Sequence, residues 1–140
     1  MANEMTRRSR RGSRAVEFAL ILPVLLAFLF GIMDYGWFFN QQIAISGAVR
    51  DGARAGSTTP QDEGGDPVLA AEQAVARALA AAGFRGEVQL DAALEGDAPD
   101  QAIRVAVSAP YDGLTGFVPV PGYVAAQLTM RMEDQPGVGE

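Results

Sequence analysis

The chain has 140 residues, 49% of them hydrophobic, and contains neither cysteine nor histidine. Those absences exclude disulfides, thiolate metal sites and the commonest general base, so an enzyme would have to work with carboxylates or an unusually assisted serine. Charge is polarised: residues 1–14 hold five arginines against Glu4 alone, whereas residues 61–140 hold four arginines against thirteen acids.

Because the N-terminal arginines flank an apolar stretch and not the acidic body, nucleic acid is not an expected partner. Residues 1–12 read as a basic, disordered leader on the cytoplasmic side. Residues 13–56 read as one transmembrane and stalk helix. No charge occurs between Phe18 and Met33, and the apolar character continues through Tyr35, Trp37, Phe38 and Phe39. A bilayer core takes about 20 apolar helical residues, so this stretch is long enough to cross once, with some tilt. Arginines before the span place the N-terminus in the cytoplasm and the body outside, and the aromatic cluster marks the outer interface. Asp34, beside that cluster, reads as reaching interfacial water; pairing with a partner's arginine is the sharper alternative.

The helical pattern runs on through Asn40–Gly56 without a proline. Ala44, Ala48, Gly52 and Gly56 recur every four residues and form a stripe of small side chains. Such a stripe permits close helix approach and points to packing against helices of sibling subunits. The bland alternative is an Ala/Gly-rich solvated stalk.

Residues 57–66 (STTPQDEGGD) are a linker by composition. Asp62, Glu63 and Asp66 lie close together there but lack the spacing of a calcium loop, so no metal is expected. Residues 67–133 read as a small extracytoplasmic head. Asp66 caps a helix that opens with Pro67, presents Val68, Ala71, Val75 and Leu79 on one face, and is closed by Gly83. Strand alternation follows at Glu87–Leu94, then a turn at Gly96–Asp100. A second alternation carries Ile103, Val105, Val107 and Ala109 on one side. The loop Pro110–Gly122 has three prolines and an apolar centre of Leu114, Phe117 and Val118, read as a lid on the small core, with a contact site as the alternative. Tyr123–Glu133 alternates again, and residues 134–140 form a tail. The assembly is α+β: a long N-terminal transmembrane helix, then one helix against a three-stranded antiparallel sheet.

One cluster carries more information. Glu17 sits just inside the apolar run, five residues past Gly12, where a basic segment ends. A carboxylate in a spanning helix is costly and ordinarily has a partner. If the chain were cut after Gly12, Ser13 would gain a free amine about one and a half turns from Glu17, a plausible counter-charge within or across subunits. Pro23 frees the carbonyl of Ala19 and introduces a kink.

The string from Gly12 to Gly56 resembles the TadE-like family of the tight-adherence (type IVc) pilus system. The residues that carry the resemblance are Gly12, Glu17, Phe18 and Pro23, followed by the Ala/Arg-rich stretch with Ala48, Arg50, Ala53 and Arg54. The body resembles the family only in plan and in the closing Met130-Arg131-Met132-Glu133. The resemblance implies cleavage by a prepilin peptidase between Gly12 and Ser13, leaving Glu17 fifth in the mature chain. It also implies a pseudopilin or minor pilin of the bacterial inner membrane, in the filament or in a priming complex beside it. Its partners would be other pilin-like subunits, the inner-membrane assembly platform, the peptidase and the lipid bilayer, with no cofactor and no catalytic residue.

Two alternatives stand beside this reading. A cleaved signal peptide ending at Ala44-Ile45-Ser46 would release a secreted acidic domain, although signal peptides have apolar regions of about 7–15 residues and no leading glutamate. A single-pass anchor could instead hold a binding module unrelated to pili.

Overall fold

The computed structural model describes residues 2–61 and 64–133, with side chains from Arg14 onward. Helix α1 (Ala2–Ser57) is 56 residues long, about 84 Å at 1.5 Å per residue, and continues through Pro23. It begins within the basic segment expected to be disordered. Met, Glu, Arg and Ala are good helix formers, and hydrogen bonding nucleated in the apolar run propagates into them. The tail 134–140 and the linker acids Asp62 and Glu63 lie outside the described residues.

Helix α2 (Pro67–Ala81) starts as its sequence dictates. The Asp66 carboxylate accepts from the backbone N–H groups of Val68 at 3.0 Å and Leu69 at 3.1 Å. At the other end Gly83 takes a φ of +71°. Phe84 N–H donates to Leu79 C=O and Gly83 N–H to Ala80 C=O, a Schellman closure that turns Phe84 back onto the core.

Strands β1 (Gln89–Glu95), β2 (Ala102–Pro110) and β3 (Tyr123–Arg131) form an antiparallel meander in the order β1-β2-β3. β1 begins two residues later than its alternation suggests. Its ladder starts at Gln89 opposite Ser108, and extension to Glu87 would bring it opposite Pro110, which has no N–H to donate. On β2, Ile103, Val105, Val107 and Ala109 are buried, as the period of two requires. Each large aliphatic among them contributes about 1.5–3 kcal/mol by leaving water.

Both helices cover the same face of the sheet. The second half of α1 supplies Ile45, Ala48, Val49 and Ala53 to the core, and α2 supplies Ala71, Val75 and Leu79. These positions recur at the three- and four-residue spacing of one helical face. The other face of the sheet is open. There Arg104, opposite Ala93 on β1, reaches diagonally to Asp91 at 2.8 Å and Glu95 at 2.6 Å. Those two carboxylates hold the guanidinium pKa above its ordinary value, first through hydrogen bonds and then through charge.

The C-terminal end of α1 is tied to the far end of the sheet. Glu133 N–H donates to Ser57 C=O at 2.9 Å, and the buried Ser57 hydroxyl reaches Arg54 C=O at 3.0 Å. The head therefore grips the second half of α1, from Phe30 to Ser57, while the first half projects from it.

Candidate functional site

The projecting part of α1 is a naked apolar rod. Val16, Phe18, Leu20, Ile21, Val24, Leu25, Phe28 and Leu29 are all exposed. From Arg14 the helix is long and apolar enough to cross a membrane. Glu17 and Phe18 lie exposed on this rod, and so does Pro23. Gly12 and Ser13 fall on the helical backbone of α1, but their side chains lie outside the described residues.

The small-residue stripe has a different role from the one expected of it. Ala48, Gly52 and Gly56 are buried, with Ala44 half-buried, but against the chain's own head and not a sibling helix. A Cβ on Gly52 would stand 2.5 Å from Val75 Cγ2 and 3.1 Å from Ala71 C=O. At Gly56 it would overlap Ile103 Cδ1 and lie 2.9 Å from Pro67 C=O. The physical logic of close helix approach holds; the neighbour is α2. With only a short linker between them, α2 folds back onto α1 and takes the face before any other subunit can.

The outer end of the apolar run holds a polar clamp. Asp34 is fully buried. Its carboxylate accepts from Thr115 N–H at 2.8 Å and from the Thr115 hydroxyl at 2.5 Å. The Tyr111 hydroxyl donates to Asp34 C=O at 2.8 Å. Tyr35 O–H donates to Pro119 C=O at 3.1 Å, and the Phe117 ring stacks on Phe30 with centroids 5.1 Å apart. Phe38 meets Tyr111 edge to face at 5.3 Å. Farther along, Gln42 Nε2 donates to Ala125 C=O on β3 at 2.8 Å.

Asp34 thus neither reaches interfacial water nor awaits a foreign arginine: the Pro110–Gly122 loop brings its donors. The loop covers the core only at its ends, where Tyr111 is buried and Val120 packs; its centre runs along α1 toward the N-terminus as far as Phe30. Half of the signal for this cluster was present in the sequence: an acid in an apolar helix must find donors, although nothing around Asp34 points to Thr115 as their source.

Among the described residues, no group of three or more His, Cys, Asp or Glu side chains is placed to hold a metal ion. A shallow depression on the open sheet face is lined by small and polar side chains, among them Gln89, Asp91, Ala106, Ser108 and Gln127.

The geometry is thus that of an apolar rod with a head folded onto its far end, and comparison with known families places the rod. The family model described as TadE-like protein matches residues 12–54. This segment is TadE-like. The match opens at Gly12 and covers the apolar rod together with most of the face that α2 and the sheet pack against. It leaves the rest of the head outside the TadE-like match. Neither curated proteins nor solved structures include a match to the chain.

Proposed function

We propose that this chain is a pseudopilin or minor pilin that acts in assembly of a tight-adherence pilus. In this reading it sits in the bacterial inner membrane with its N-terminus cytoplasmic and its head on the periplasmic side. The observation that carries the proposal is the TadE-like match, which begins at Gly12, five residues before Glu17, where a prepilin peptidase would cut. The architecture supports it: a single exposed apolar helix, continuous with the core of a small head, suits a subunit that inserts in a bilayer and packs beside similar helices. Its role is structural and not catalytic, and its partners are other pilin-like subunits, the assembly platform and the peptidase.

The signal-peptide alternative draws no support from the fold. Ile45, at the centre of Ala44-Ile45-Ser46, is fully buried in the middle of α1, and a cut there would sever the helix from the segment carrying Asp34. The deciding experiment is the N-terminal residue of the protein isolated from its native membrane, by intact mass and N-terminal peptide analysis. A mature chain that starts at Ser13 is the expected result. Retention of Met1 or Ala2 would overturn the processing step and with it the pilin-like role.

A further inference from the structure

We infer that the Pro110–Gly122 loop is a second membrane anchor, whose Leu114 and Phe117 tip lies in the leaflet on the head's side of the bilayer. The inference rests on the membrane-spanning reading of α1 and follows from where the loop meets the helix. On the inner side the apolar run is bounded by Arg14 and Glu17. A hydrocarbon core of about 30 Å that starts at Phe18 takes about 20 helical residues, at 1.5 Å each, and ends near Trp37. Phe30, on which Phe117 stacks, lies about seven residues short of that boundary, roughly 10 Å inside it.

The loop is built for such a place. Between Pro110 and Gly122 it has no lysine or arginine and a single acid, Asp112. Leu114 is 59% exposed and Phe117 77%, and on the turns of α1 around Phe30 the side chains of Leu29, Ile32 and Met33 are exposed as well. Two apolar side chains left this open at a loop tip, level with a bare apolar helix, present greasy surface at membrane depth, and lipid is the occupant that matches that depth.

Non-helical backbone at membrane depth is tolerated only where its polar groups are satisfied. Here Pro110, Pro119 and Pro121 have no N–H to satisfy. Thr115 N–H is taken by the Asp34 carboxylate, and Pro119 C=O by the Tyr35 hydroxyl. Phe117 N–H points to the Thr115 hydroxyl at 3.4 Å, and Tyr111 N–H closes the loop's base on Gly122 C=O at 3.0 Å. The same contacts account for an acid within the apolar span: the loop supplies Asp34 with its donors.

The test uses the full-length chain in phosphatidylcholine vesicles whose acyl chains carry bromine, a short-range quencher of tryptophan. With Trp37→Phe as background, single tryptophans are placed by Phe117→Trp and, at a second tip position, by Leu114→Trp. Leu25→Trp reports the middle of α1, and Leu69→Trp reports the head. The inference expects Phe117→Trp and Leu114→Trp to emit to the blue, to lose fluorescence to lipid bromine as Leu25→Trp does, and to resist aqueous iodide as Leu69→Trp does not. If Leu25→Trp is quenched by bromine while both loop probes are quenched by iodide, the loop is in water and the inference is overturned, with the spanning helix intact. Loop probes shielded from bromine and iodide alike would place the tip against protein and also overturn it. If Leu25→Trp itself escapes bromine, the membrane-spanning reading fails and the inference falls with it.

Discussion

Gly52 offers the sharpest test of how the head is held. Gly52 and Gly47 both lie inside α1, but a Cβ on Gly47 has nothing within 4 Å, whereas one on Gly52 would stand 2.5 Å from Val75 Cγ2 and 3.1 Å from Ala71 C=O. Glycine to alanine inside a helix gains about 0.8–1 kcal/mol from backbone propensity at either site. At Gly52 the added methyl also overpacks a filled core, which costs about 1–3 kcal/mol. Gly47→Ala should therefore stabilise by about 1 kcal/mol and Gly52→Ala should lie about 1–3 kcal/mol below it. For a domain of 60–100 residues each kcal/mol moves the midpoint by about 4–8 °C, a shift that thermal unfolding in detergent, followed by near-ultraviolet circular dichroism, can resolve. Val75→Ala removes the methyl that the new Cβ would meet, so the Gly52→Ala/Val75→Ala pair should be less destabilised than the sum of its singles by about 0.5–3 kcal/mol. Equal stabilisation by Gly47→Ala and Gly52→Ala would refute the packing of α1 on α2 at this point. It would return the stripe to the role of a sibling contact.

Two further outcomes follow from the head. Asp66→Ala removes the cap on two N–H groups of α2 and should lower stability by about 0.5–2 kcal/mol, while Asp66→Asn, an equally good cap, should stay near wild type in the same melts. Tyr111→Phe removes the hydroxyl that donates to Asp34 C=O and should lower stability by about 0.5–1.5 kcal/mol; melts as high as wild type would show that this bond does not hold the loop to α1.

What could be read from the sequence was whatever obeys a local period. The apolar rod, the Asp66 cap with Pro67, the Gly83 closure and the alternation through Ile103, Val105, Val107 and Ala109 each follow from a repeat or a terminal residue, and each stands in the fold. The errors came from contacts between distant segments. The spacing of Ala44, Ala48, Gly52 and Gly56 shows that a surface is small, but it says nothing of which helix fills it, and α2 does so from 11 or more residues farther along. Asp34 and Thr115 are 81 residues apart, and no pattern around either one names the other. The leader's helicity was missed for another reason: charge density suggested disorder, while the residues themselves, Arg, Met, Glu and Ala, carry strong helix propensity once a helix adjoins them.

These corrections alter how the subunit would work. A stalk whose small face was free would offer siblings a second interface beyond the membrane. With that face covered by α2 and the sheet, only the projecting apolar rod and the outer surfaces of the head remain for neighbours. The head is also held to α1 at two well-separated levels, by Glu133 on Ser57 at one end and by Thr115 on Asp34 at the other. From Asp34 to Ser57 is 23 residues, about 35 Å of helix at 1.5 Å per residue. A helix braced over that length moves with its head, so in the proposed pilin-like role both would travel as one body if the subunit left the bilayer. Asp34 would then travel out with its donors attached, which removes the cost of stripping and remaking its hydrogen bonds along the way.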